Sequence, residues 1–184
     1  MAISKVTRIS ILNGLFLLFL TLAEFWGTLH FNLVFSYQWH KILHLAGVVI
    51  LMGNMVVGPV WFSYAYYSGD KGLLKFACRL LQITDLYLMA PGIALTVVNG
   101  LFLASALGGS HNLPWLYYSV VLLILMWLLS IPVVYIQEKM YQVIDHESFN
   151  RLKINRLLTY WGILGTLVMI PPTIIFYLMV AKSI

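Results

Sequence analysis

Charge is the scarcest ingredient of this chain: of its 184 residues only 9% are Asp, Glu, Lys or Arg, six acidic against eleven basic. Soluble domains carry roughly 25% charged residues, so this sequence cannot furnish a water-facing surface. The single cysteine, Cys78, rules out an internal disulfide and a multi-thiolate metal site. Glycine-rich phosphate loops, a HExxH zinc motif and a nucleophile spaced from a base are all missing. So are repeats, low-complexity tracts and linkers, which leaves residues 1–184 as a single domain.

Hydrophobic residues make up 61% of the chain and gather in five runs: Ile9 to Phe31, Tyr37 to Tyr66, Thr84 to Leu107, Pro114 to Ile136 and Leu157 to Val180. A hydrocarbon core takes about 20 helical residues to cross. Because backbone groups in lipid must satisfy one another, each run is expected to be helical, and the Pro and Gly spread through them argues against barrel strands. The fold class is therefore all-α: an integral membrane bundle of five transmembrane helices. The first run begins with Lys5 and Arg8 before an apolar stretch and Ala23, the form of a signal peptide. We read it as a retained first helix.

Nine of the eleven basic residues, Lys5, Arg8, Lys71, Lys75, Arg79, Lys139, Arg151, Lys153 and Arg156, fall on one side if the helices alternate. Lys41 and Lys182 fall on the other. Basic residues concentrate in cytoplasmic segments, so the N-terminus is expected in the cytoplasm and the C-terminus outside, in a cytoplasmic (inner) membrane. The net charge of +5 then serves contact with anionic headgroups, not nucleic acid. Between Gly72 and Thr84, "LLKFACRLLQI" has helical spacing and either lies at the interface or extends the third helix inward. The segment Gln137 to Arg156, which includes Glu138, Glu147 and several basic residues, reads as a solvated face or a docking surface for another membrane protein. Prolines at 59, 91, 132, 171 and 172 are expected to kink the last four helices.

Ionisable residues inside a membrane usually face the bundle interior, which makes the histidines informative. His30, His40, His44 and His111 all belong to the outer end, and only His146 belongs to the cytoplasmic one. "WHKILHLAG" opens the second helix, and its His40, His44, Gly47, Leu51, Asn54 and Gly58 share one helical face. Small residues there would admit a partner helix or a flat ligand. Glu24 and His44 lie at similar depth, so the carboxylate could orient the imidazole as a ligand or simply fix the packing of neighbouring helices. His40 is a second cofactor-binding candidate, although Trp39 and Lys41 beside it suit a headgroup interface. His30 and His111 are further candidates as metal ligands with His44. Met52 and Met55 would suit copper but lie too deep to join the outer histidines.

"WHKILHLAG" through Pro59, "APGIALTVVNG" from Ala90 and "PWLYYS" from Pro114 together resemble the HemJ-type haem-binding membrane proteins. They are also similar to the copper-resistance D-type membrane domain and, more closely, to a bacterial family of predicted integral membrane proteins of unassigned function. The resemblance covers roughly residues 37–140. It implies that His44 is a haem b ligand, with Pro59, Pro91, Thr96 and Gly100 at matching family positions. Where HemJ-type proteins carry a functional lysine, this chain has Tyr117, Tyr118 and Ser119, so the resemblance implies haem binding and electron transfer more than porphyrin oxidation. The alternatives are a non-catalytic accessory or assembly subunit, whose polar residues only join helices, and a metal or small-solute transporter, which would need oligomerisation in the absence of an inverted repeat.

Overall fold

Helical periodicity is realised throughout the computed structural model, which describes residues 5–145 and 151–182. His146 and Glu147, expected in the charged connection, lie outside those residues. The helices are α1 (Lys5–Phe25), α2 (Tyr37–Tyr67), α3 (Lys71–Thr84), α4 (Ala90–Ala106), α5 (Pro114–Asp145) and α6 (Arg151–Ala181), with a π-helical turn at Asp85–Met89 joining α3 to α4. Among the described residues there is no strand, and five spans are long and apolar enough to cross a bilayer: Thr7–Phe25, Tyr37–Tyr67, Lys71–Ala106, Pro114–Ile144 and Arg151–Ala181. Apolar side chains cover the outside, with Leu12, Val49, Val60 and Ile131 each at least 66% exposed. Such a surface is stable against lipid and not against water. The protein is a multi-pass integral membrane protein.

Several boundaries differ from the sequence reading, each for a local reason. Helix α1 stops at Phe25 rather than near Phe31, because Gly27 takes φ +70° and the Gly27 and Thr28 N–H groups close onto the Glu24 and Ala23 carbonyls. The segment from Gly72 to Thr84 extends the third span. Its start is capped by Asp70, whose Oδ1 accepts from Gly72 N at 2.7 Å and Leu73 N at 3.2 Å. Leu74, Ala77, Cys78, Leu81 and Thr84 line its buried face. Most of the expected charged connection is helix too, since α5 runs to Asp145 and α6 starts at Arg151. Glu138 is buried rather than solvated, accepting from Thr7 Oγ1 at 2.8 Å and Gln142 Nε2 at 3.1 Å.

Proline acts differently at different places. Pro59, Pro132, Pro171 and Pro172 sit inside uninterrupted helices. Pro91 follows the π turn, in which the Ala90 N–H reaches back to the Asp85 carbonyl. A proline ring clashes with the carbonyl four residues before it and offers no N–H; the wider turn absorbs that conflict.

The most extensive helix pairs are α5 with α6 and α2 with α4, and α1 packs on α4 and α5. Phe62, Leu74, Leu81, Met140, Ile144 and Ile154 form the larger apolar core, between α2, α3, α5 and α6. This lies at the basic end of the bundle. A smaller core of Leu17, Val97 and Leu101 joins α1 to α4 towards the histidine-rich end.

Candidate functional site

Along α2 the shared face of His40, Gly47, Leu51, Asn54 and Gly58 is buried; α4 occupies it at His40 and Gly47, the π turn meets Asn54, and Leu81 of α3 lies against Gly58. A Cβ on Gly47 would stand 2.6 Å from both Thr96 N and Thr96 Oγ1 and 2.7 Å from the Gly92 carbonyl. The two backbones thus touch through glycine. No flat ring fits between them there, and the small residues of this stretch serve helix packing.

His40 is 2% exposed, a buried residue rather than the headgroup-interface residue expected from its neighbours. Its hydrogen bonds fix its tautomer. Asn99 Nδ2 donates to the Leu95 carbonyl at 2.8 Å, which leaves Asn99 Oδ1 as the acceptor 2.9 Å from His40 Nδ1. Nδ1 must therefore carry the proton. Nε2 accepts from the Phe35 N–H at 3.3 Å, and the ring stacks on Phe102 with centroids 4.5 Å apart. Both nitrogens of His40 are engaged, so coordinating a metal would break one of these bonds.

His44, one turn further on, is half-buried and differently held. Its Nδ1 lies 2.7 Å from the Thr96 carbonyl, an oxygen that can only accept, so Nδ1 again carries the proton. The ring rests against Gly100, where a Cβ would come within 3.2 Å of Nδ1 and Cε1. Thr96 is itself braced, its hydroxyl donating to the Gly92 carbonyl at 2.8 Å. The lone pair is left on Nε2, in an imidazole oriented by a carbonyl behind it, as in many ligating histidines.

The expected contact between Glu24 and His44 does not form. Helix α4 packs against both α1 and α2, and Glu24, 2% exposed, turns to the loop after α4 instead. Its carboxylate accepts from Ser110 N at 3.0 Å and Ser110 Oγ at 2.7 Å. The loop reaches it through Gly108 and Gly109, at φ +93° and +104°, backbone angles that favour glycine. Glu24 is a loop anchor. His30 lies exposed in the connection between α1 and α2, and His111 is exposed beside Gly109. Among the described residues no three His, Cys, Asp or Glu side chains converge as a metal site, so the trio His44, His30 and His111 is not brought together.

A second polar cluster was missed by sequence reasoning. Asp85, at the start of the π turn, accepts from Asn54 Nδ2 on α2 at 3.3 Å and from Gln137 Nε2 on α5 at 2.7 Å. The signal was present: Leu74, Cys78 and Leu81 lead at helical spacing to Asp85, next to a proline-bearing stretch. Starting the third helix at Thr84 had placed this carboxylate at a helix end.

No curated protein and no solved structure matches the chain. The family profile described as "Predicted integral membrane protein (DUF2269)" matches residues 38–183, which takes in α2 to α6 and leaves out Glu24 and His30. The chain belongs to that family of integral membrane proteins.

Proposed function

We propose that this protein is a haem b protein of the bacterial inner membrane, with its N-terminus in the cytoplasm, acting in electron transfer. One observation carries the reading: the Nδ1–H of His44 is held by the Thr96 carbonyl at 2.7 Å, leaving a positioned, half-buried Nε2 with a free lone pair. Ligation through Nε2 needs that lone pair, and the hydrogen bond at Nδ1 would orient the ring and tune a bound haem. The HemJ-like reading of "WHKILHLAG" rests on the sequence alone, since the family match does not extend to those proteins. A porphyrin would lie outside the closed glycine seam, held by His44 and supplying redox chemistry to the site. His40 has no part in ligation, and Glu24 acts only by fixing the loop that bears His111.

The test is an oxidised and dithionite-reduced absorption spectrum of protein purified after expression with ample haem supply. A Soret band in the wild type that disappears in His44→Ala supports the proposal. Haem content unchanged by that substitution refutes it.

A second reading, an accessory or assembly subunit without a cofactor, is favoured by the way buried polar groups pair internally: Glu24 with Ser110, His40 with Asn99, and Glu138 with Thr7. It predicts a colourless protein that copurifies with a membrane partner. Neutralising Lys139, Arg151 and Lys153 at the basic end would then release that partner.

A further inference from the structure

We propose that Asp85, with Asn54 and Gln137, binds one exchangeable monovalent cation, a proton or a sodium ion, near the middle of the bundle. At about 1.5 Å per residue, Asp85 and Asn54 lie roughly 20 Å from the basic ends of α3 and α2. A carboxylate at that depth is costly unless its charge is met. Both its partners are neutral amides, from two other helices.

The second observation is Asn54 itself. It is 8% exposed, and its Oδ1 is buried with no hydrogen-bond partner while Nδ2, on the same amide, faces Asp85. An orphaned buried acceptor is costly, and a state in which it meets a donor or a cation would relieve that cost. Turning the amide over supplies one. With Nδ2 toward Asp85 the amide serves the bare carboxylate, and with Oδ1 there it meets either the O–H of a protonated carboxyl or a sodium ion. One carboxylate balances one positive charge, whereas divalent ions are usually held by several oxygen ligands that include more than one carboxylate. Asp85 opens a π turn, a widened helical turn frequent at functional sites.

On the elements packed around Asp85, Lys71 and Lys75 of α3 and Lys139 of α5 are exposed, Lys139 over the Tyr135 ring. Arg8 on α1 and Arg79 on α3 are exposed, and Glu138 on α5 is engaged by Thr7 and Gln142. Helix α2 has no ionisable residue between His44 and Tyr64, and α4 has none at all. The site is separate from His44, about 15 Å away along α2 at that rise, and does not depend on haem.

The experiment uses the full chain in nanodiscs. Thermal unfolding is followed as sodium chloride replaces choline chloride at constant ionic strength, and infrared difference spectra are recorded between neutral and acidic pH. A sodium site gives a saturable rise in Tm that Asp85→Asn abolishes. Asn54→Leu should raise the sodium needed by roughly tenfold or more, as expected for loss of a charge-assisted contact. A proton site gives no sodium response but a protonated-carboxyl band that Asp85→Asn removes and Asn54→Leu shifts. A wild type with neither response overturns the proposal, as does a response that persists in Asp85→Asn or, if that variant fails to fold, is unaltered in Asn54→Leu.

Discussion

The α2–α4 seam and the junction around Asp85 treat polar groups in opposite ways. In the seam, Gly47 and Gly92 bring backbones together and His40 has both nitrogens engaged by Asn99 and Phe35. At the junction, Pro91 and the π turn interrupt the regular ladder, and Asn54 keeps an unused acceptor beside a carboxylate. Close packing leaves polar atoms nothing to do except hold helices. The two proposals assign chemistry to positions just off that packing: His44 at the edge of the seam and Asp85 beyond it.

The sharpest way to break this contrast is to open the seam. Gly47→Ala places a methyl group against backbone atoms that cannot move aside and should cost about 3 kcal/mol, the upper range for overpacking. Gly53→Ala on the same helix meets nothing within 4 Å and should be neutral or stabilising by up to ~1 kcal/mol. Thermal unfolding in detergent measures both; equal losses would show that the glycine contact does not hold the helices together.

Next in size are the buried pairs. Glu24→Ala leaves the Ser110 N–H and hydroxyl without their acceptor, a loss of about 2 kcal/mol. The segment around Ser110 should then become the first site of limited proteolysis. His40→Leu strands Asn99 Oδ1 and the Phe35 N–H and should cost ~2 kcal/mol, with no effect on bound haem. A small effect on stability is expected of Gly100→Ala, whose Cβ would press on the His44 ring at 3.2 Å. It should leave Tm nearly unchanged and shift the haem absorption bands; bands identical to the wild type would mean that this ring does not touch the iron.

Much of this was legible in the sequence. Five apolar runs and scarce charge specified the membrane bundle, because a hydrocarbon solvent leaves few alternatives. The helical spacing from His40 to Gly58 marked the buried face of α2. What filled that face was not legible: small residues admit a helix or a ligand equally well, and only the position of α4 decides. The same uncertainty misplaced Glu24, since a short connection suggested that α1 and α2 were neighbours while α4 packs against both. Asp85 was overlooked because the third run was drawn from Thr84, which set the carboxylate at a helix end, although it continues at helical spacing from the buried Leu74, Cys78 and Leu81.

The central claim is that two histidines four residues apart have different tasks, His44 chemical and His40 structural. The most direct measurement is haem bound per protein, by pyridine haemochromogen assay, in His40→Leu and His44→Ala purified side by side. The account predicts haem retained in His40→Leu, despite its lower Tm, and lost in His44→Ala. Haem lost from His40→Leu and kept in His44→Ala would contradict it.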